Sequence, residues 1–379
     1  MSTDVLINQM DKHNEVSILL CEKIRPQEVY YLTGKEDVDK VESIKEYYSN
    51  NYKGVNLYII DIEEGNIEEL YEFIGSLNNK EILVNITGGK RINSLILLNI
   101  CIEKNINAIY LDIKNKKVYQ FIDKVKIVSE EFEDLQITDI VKAAGGKVVE
   151  DSVNLCYKND LIYFSEQIYK NLDIWHKYKQ RLYDNEVFNH DANDSSKIYI
   201  NRGLLNEEEY KLIDSVLLKL KEMNEINYVI KNNKIMVEFN NEYIKAFIFK
   251  SGTWLEIATN NLIKQIKEID EAKNGVVFLW NDENKSIRNE VDVVAVKDSI
   301  PICISCKDSE KYNEIALNEL NVYGEKIGGE NTIKILVATK EPIKQTIRVR
   351  AKEMGIHLVI FDGDENKFIK TISEIVKNS

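Results

Sequence analysis

A chain of 379 residues with 44% hydrophobic content and three prolines is long enough for two or three ordered globular domains. Its formal net charge of −13 excludes a protein that coats nucleic acid through overall basicity, yet leaves room for a local basic channel. The first residues show no basic stretch leading into an apolar run. The longest apolar stretch, around residues 95–102, is broken by Asn99 and is too short to span a bilayer, so a cytoplasmic protein without a membrane partner is expected. The five cysteines sit in apolar or strand-like settings, which suits a reducing compartment.

Through the first third, strand and helix patterns alternate. Residues 4–8, 28–32, 55–60, 82–86 and 108–112 read as strands, with helices at 15–24, 38–49, 67–77 and 92–104 and a further strand at 117–121. Repeated β-α-β units with apolar strands predict a mostly parallel sheet with helices on both faces. Ligands of such sheets bind at the carboxyl ends of the strands. Two loops lie there. The first carries Asn8, Gln9 and Asn14, with side-chain donors and acceptors suited to a base or a ribose. The second runs Thr87, Gly88, Gly89, Lys90, Arg91 into a helix. Its glycines allow close backbone approach, and the helix N-terminus with two cations favours phosphate. The spacing is neither that of a Walker A loop nor G-x-G-x-x-G, and an ordinary strand-to-helix turn with two solvated cations is the competing reading.

The middle, residues 122–249, carries no such signature. A helix is predicted at 137–147, ending at Gly145-Gly146, another at 164–182, a polar loop at 189–197 and an amphipathic helix at 207–223. Residues 227–230, 234–239 and 243–249 alternate like an antiparallel meander turning at Asn232-Asn233. His176 and His190 lie near no carboxylate cluster in the sequence and read as structural or solvated.

The last third is organised by residues 289–307, NEVDVVAVKDSIPICISCK, which predicts two strands joined at Asp298-Ser299. Alternation puts Glu290 and Asp292 on one face and Val291, Val293 and Ala295 on the other. Such a hairpin brings Asp292 and Lys307 together at one rim, where a carboxylate beside an ammonium can hold a divalent cation and orient water. A surface hairpin with a stray ion pair is the plainer alternative. Cys303 and Cys306 spell C-x-x-C, but residues three apart on a strand face opposite sides and cannot share a metal. Upstream, GTWLEIATNNLIKQI predicts a helix with Glu256 in its first turn. A strand at 275–280 leads into the hairpin, and a helix, strand, helix and strand follow at 312–326, 332–338, 343–354 and 356–361.

This order, with Glu256, Asp292 and Lys307, resembles the PD-(D/E)XK, restriction-endonuclease-like nucleases. Ser305 stands where that family usually has a carboxylate, so the missing charge must come from Glu256 or Glu290, or the metal is held loosely. The N-terminal domain with its NITGGKR loop, joined to GTWLE, NEVDV and ISCK, resembles the CARF-domain nucleases of type III CRISPR systems. Lys90 and Arg91 depart from the TGG-T-K pattern of that family. The resemblance implies an α/β chain in three parts: a Rossmann-like CARF ligand-binding domain at 1–125, a connector of helices and a small β meander at 126–244, and a PD-(D/E)XK domain at 245–379. It further implies a homodimer activated by a cyclic oligoadenylate, foremost cyclic tetra-adenylate. Asn8, Gln9, Asn14, Thr87, Gly88, Gly89, Lys90 and Arg91 would bind the activator. Glu256 and Asp292 would ligate Mn²⁺ or Mg²⁺, with Lys307, Glu290 and Ser305 completing a site that cuts DNA or RNA. A non-catalytic nucleotide sensor with a degenerate nuclease fold is the alternative.

Overall fold

The computed structural model describes residues 3–34, 37–77, 80–150, 153–250, 252–282 and 285–378. Three sheets organise them. The first has seven strands in the order Asn56–Asp61, Glu28–Thr33, Val5–Gln9, Ile82–Asn85, Asn107–Asp112, Lys117–Phe121 and Val125–Ser129. The first five run parallel, and the last two turn back antiparallel. Every residue of Val5–Gln9 is buried, as a central parallel strand covered on both faces must be. Leu6 packs with Ile18 and Ile44 on one side, while Val5 and Ile7 pack with Leu70 and Leu97 on the other. The predicted doubly covered sheet is therefore present. Strand order reverses beside Val5–Gln9, so the ends of Val5–Gln9 and Ile82–Asn85 flank the switch-point crevice.

The last sheet has six strands, ordered Ile356–Ile360, Ile333–Ala338, Ile300–Lys307, Lys285–Lys297, Glu271–Asp282 and Gly146–Glu150. Asp298 and Ser299 both adopt left-handed φ, 51° and 64°, between the paired residues Lys297 and Ile300. A two-residue turn of this hand matches strand twist and fixes the register of the hairpin. A C-terminal helix, Glu365–Asn378, follows the last strand and packs Phe368, Ile372 and Val376 into the core.

One register detail departs from simple alternation. Val276 and Val291 pack with Val294 and Val296, whereas Ala272, Val293 and Ala295 pack on the opposite side. Val291 was expected beside Val293. The alternation breaks where Gly275, at φ 59°, faces Asp292 between two paired positions. Glycine tolerates that backbone, and the local irregularity re-aims the neighbouring side chains.

The middle differs most from expectation. Val125–Ser129 completes the first sheet and Gly146–Glu150 edges the last, so the stretch taken as a connector lends strands to both neighbours. The small sheet orders Ile226–Lys231, Lys234–Phe239, Lys197–Asn201 and Phe188–His190. Residues 243–249, expected as its third strand, form the helix Glu242–Phe249. Asn241 caps that helix by accepting the Ile244 N–H at 3.0 Å, and Ile244 and Phe247 bury one face. Short apolar runs satisfy both periods, and here the cap decides. The polar stretch taken as a loop supplies the strand Phe188–His190, and the long helix expected at 164–182 breaks at Asn171 into Asn159–Lys170, Leu172–Tyr178 and a 3₁₀ turn, Lys179–Tyr183. No helix among the described residues is long and apolar enough to cross a membrane.

Candidate active site and activator loop

The helix Thr253–Ile263 carries Glu256 in its first turn, and its buried Trp254 and Leu255 seat that turn on the sheet. Asp292 lies just beyond the last paired position, Val293 with Ile304, where the hairpin strands stop exchanging ladder bonds. Its Oδ2 accepts the freed Cys306 N–H at 2.6 Å and the Ser305 hydroxyl at 3.1 Å. Lys307 Nζ stands 3.6 Å from the same oxygen. Ser305 therefore orients Asp292 by donating to it. Cys303 and Cys306 pack on opposite sides of the sheet with free thiols.

Glu256 faces this cluster. Burial first, then the charges of Asp292 and Glu290, push its carboxyl up to about 8, against the opposing pull of Lys307 and Lys250. Among the described residues nothing donates a hydrogen bond to it. Glu290 itself is exposed. Among the described residues no three His, Cys, Asp or Glu side chains stand close enough together to hold a metal ion. The donor chemistry nevertheless fits a hard divalent cation: oxygen ligands, and in Glu256 a half-buried carboxyl with no donor among the described residues, beside like charges whose repulsion a dication would relieve.

The residue after Lys307 was not singled out by sequence. Asp308 is buried and gathers Trp175, Trp254, Thr339, Lys179 and His176. His176 lies beside this one carboxylate, brought there by the fold from the middle of the chain, in keeping with a structural role. The available signal was Trp254 itself, because a buried indole N–H needs an acceptor.

In the first domain, Asp11 Oδ2 accepts the Gly89 N–H at 2.7 Å. Gly89 has φ 84°, and a Cβ there would stand 2.4 Å from Gln9 Cβ, so only glycine fits. Thr87 Oγ1 accepts the Leu111 N–H at 2.9 Å and pins the loop to the next strand. Lys90 lies 3.6 Å from Glu64. Arg91 is exposed and makes no ion pair among the described residues.

Two of the residues expected to contact the activator are buried beneath the loops. Asn8 is fully buried: its Oδ1 accepts from Asn85 Nδ2 at 2.9 Å, while its Nδ2 has no partner among the described residues. Asn14 is buried too, and its Nδ2 donates to the Asp11 carbonyl at 2.9 Å and the Ala143 carbonyl at 3.0 Å. Both amides brace the loops from behind. Gln9 donates to Ser94 at 2.7 Å but leaves its buried Oε1 without a partner, next to Gly89.

A Rossmann-like domain with a phosphate-suited loop, ahead of a restriction-endonuclease-like domain with a carboxylate–lysine site, defines a ligand-binding nuclease. Residues 14–139 match the Card1 CARF domain, and residues 241–378 match the Card1-like endonuclease domain. Together the matches take in more than half of the chain, which carries a CARF domain and an endonuclease domain of the Card1 type. Protein VC1899 from Vibrio cholerae has a similar structure, with a TM-score of 0.79 at 16% identity over 98% of each chain. Can2 from Sulfobacillus thermosulfidooxidans, solved in complex with cyclic tetra-adenylate, aligns with a TM-score of 0.72 at 15% identity, over 99% of this chain and 98% of its own. A type III CRISPR defence DNA nuclease activated by cyclic oligoadenylate aligns with a TM-score of 0.54 at 14% identity, over 89% of this chain and 46% of its own. At these identities the likeness is one of fold. No curated protein sequence matches the chain.

Proposed function

We propose that this chain is a metal-dependent nuclease switched on by a cyclic oligoadenylate, foremost cyclic tetra-adenylate, in type III CRISPR defence. The observation that carries the reading is the gathering of Glu256, Asp292 and Lys307 on a chain whose first domain presents a Gly88-Gly89 loop at a switch point. Glu256 and Asp292 would hold Mn²⁺ or Mg²⁺, with Glu290 at the rim; a bound dication polarises the phosphodiester and lowers the pKa of water. Ser305 and the Cys306 N–H keep Asp292 in one orientation. Lys307 holds the attacking water or offsets the charge that develops on the phosphate oxygens.

Gly88, Gly89, Lys90 and Arg91 take activator phosphates, and Gln9 and Thr87 line the same crevice. Cyclic tetra-adenylate has approximate two-fold symmetry, which a homodimer presenting this loop twice would match. The helix that starts at Arg91 supports such a dimer, because Ile92, Leu95 and Ile102 are 46%, 64% and 65% exposed beside the loop.

A non-catalytic sensor is favoured by one pair of observations: Ser305 in a carboxylate position, and no preformed metal cage among the described residues. The deciding assay incubates the protein with labelled single-stranded DNA, single-stranded RNA and supercoiled plasmid. Mn²⁺ or Mg²⁺ is supplied, with and without cyclic tetra-adenylate. Metal-dependent cleavage stimulated by the activator is expected; activator binding without cleavage of any substrate would establish the sensor.

A further inference from the structure

Asp308 directly follows Lys307, and its side chain is 2% exposed. Its Oδ2 accepts Trp175 Nε1 at 2.6 Å and Trp254 Nε1 at 3.0 Å. Its Oδ1 accepts the Thr339 hydroxyl at 2.9 Å and lies 3.0 Å from Lys179 Nζ and 3.2 Å from His176 Nε2. Lys179 also donates to the Asp308 backbone carbonyl at 2.5 Å. One carboxylate thus serves four elements: the helix of Glu256 through Trp254, the end of Ile333–Ala338 through Thr339, and the middle segment through the helix of Trp175 and His176 and the turn of Lys179. Burial opposes its charge, but the Trp175 bond, the Lys179 ammonium and the Trp254 bond outweigh that and keep its carboxyl below the usual range.

Trp254 stands two residues before Glu256, and Asp308 one residue after Lys307. Hydrophobic packing alone would seat the Trp254 ring in many small offsets, whereas a hydrogen bond to a fixed carboxylate selects one. We propose that Asp308 is a positioning residue of the nuclease: by gripping the Trp254 indole it sets the spacing of Glu256 from Asp292 and Lys307, and through Trp175 and Lys179 it ties that spacing to the middle segment. The inference rests on the nuclease reading above.

A buried counter-ion for Lys179 would also destabilise the protein when removed, so the test separates the two roles. The double variant Asp308→Asn with Lys179→Met removes the carboxylate together with the buried ammonium that needs it. It should melt close to wild type. With cyclic tetra-adenylate present, it should still cut at least about tenfold more slowly in single turnover, as misplacement of reacting groups does. Its Mn²⁺ requirement should rise, while activator affinity and the strand concentration for half-maximal rate stay the same. Recovery of both the wild-type rate and the wild-type Mn²⁺ requirement would reduce Asp308 to a counter-ion and overturn the proposal.

If the double variant does not fold, Trp254→Phe decides. It keeps an aromatic ring in the core but loses the indole N–H together with the five-membered ring that carries it, and should show the same slow rate; wild-type cleavage by it overturns the proposal equally. If wild type cuts no substrate, the nuclease reading fails. The positioning role is then read from Mn²⁺ calorimetry on the full chain: weaker binding by the folded variant supports it, and equal binding removes it. A wild-type chain that neither cuts nor binds Mn²⁺ overturns both.

Discussion

The activator loop and the nuclease site are built alike and charged in opposite senses. In the first, the chain places its own anion, Asp11, on the Gly89 N–H that would receive a phosphate. In the second, it places its own donors, Ser305, the Cys306 N–H and Lys307, around the Asp292 carboxylate that would receive a cation. Each site is therefore satisfied before its ligand arrives. The difference lies in what remains unpaired among the described residues. The loop leaves a cation, Arg91, exposed to solvent, where water solvates it at little cost. The nuclease site leaves a carboxyl, Glu256, half-buried and without a donor among the described residues, and partial burial beside like charges raises its pKa to about 8. An exposed charge waits at full strength; a buried one waits protonated.

Substitutions break this comparison in a graded order. Asp292→Ala should lower single-turnover cleavage by roughly a thousandfold, the several kcal/mol that charge stabilisation by a held cation supplies, with the melting temperature little changed. Cleavage at the wild-type rate and equal metal would remove Asp292 from the site. Arg91→Ala should weaken cyclic tetra-adenylate binding by roughly ten- to a hundredfold, the scale of a hydrogen bond to a charged group. Cleavage at saturating activator should persist, and calorimetry with an unchanged affinity would exclude Arg91 as a phosphate contact.

The third change sharpens the contrast between the two unpaired groups. Folding raises the Glu256 carboxyl from 4.5 to about 8, so between those values the folded chain holds a proton that the unfolded chain has lost. Stability contributed at this position is greatest at low pH, declines as pH rises above the unfolded value, and reaches its full deficit beyond about 8. Glu256→Gln should accordingly melt several degrees higher than wild type at alkaline pH without metal, and the gap should close near pH 4, although the variant cuts poorly. Melting curves that run parallel across this range would contradict the assigned burial. Asp11→Asn should tighten the activator by about fivefold, relieving roughly 1 kcal/mol of repulsion between like charges in a water-like dielectric; weaker binding would mean that Asp11 shapes the loop more than it opposes phosphate. Smallest of all, Ser305→Asp should lower the metal concentration for half-maximal cleavage a few-fold, and an unmoved titration would show that another group already fills that place.

Where the sequence was legible, local pattern and final environment agreed. The helix Glu15–Ile24 and the strand Lys117–Phe121 match their predicted limits. The last domain was legible for a second reason: its chemistry sits in short motifs, so Glu256, Asp292 and Lys307 could be placed near one another before any fold was known. The middle was obscure where a segment satisfied two periods, as at 243–249, or where a strand drew its identity from a distant partner, as Gly146–Glu150 does from Glu271–Asp282. Asn8 and Asn14 illustrate a different limit. An amide in a strand-end loop is equally suited to a ligand and to a neighbouring protein group, and the contacts of Asn8 with Asn85 and of Asn14 with Ala143 carry no signal in the sequence. Asp308 was hidden because its partners are scattered along the chain and no spacing rule connects them.

The strand Gly146–Glu150 bears on how the molecule assembles. It closes one edge of the nuclease sheet, yet the whole four-stranded unit is synthesised between it and its partner Glu271–Asp282. Pairing across so long an intervening segment pays a large loop-closure entropy, so this edge is expected to form late, after the local hairpin Lys285–Lys307. Until then the N–H and C=O groups of Glu271–Asp282 stand open as a template for another chain. A fragment limited to residues 241–378 would keep that edge bare permanently and would also lack Trp175, His176 and Lys179 around Asp308. Such a fragment should associate edge to edge more readily than the 379-residue chain.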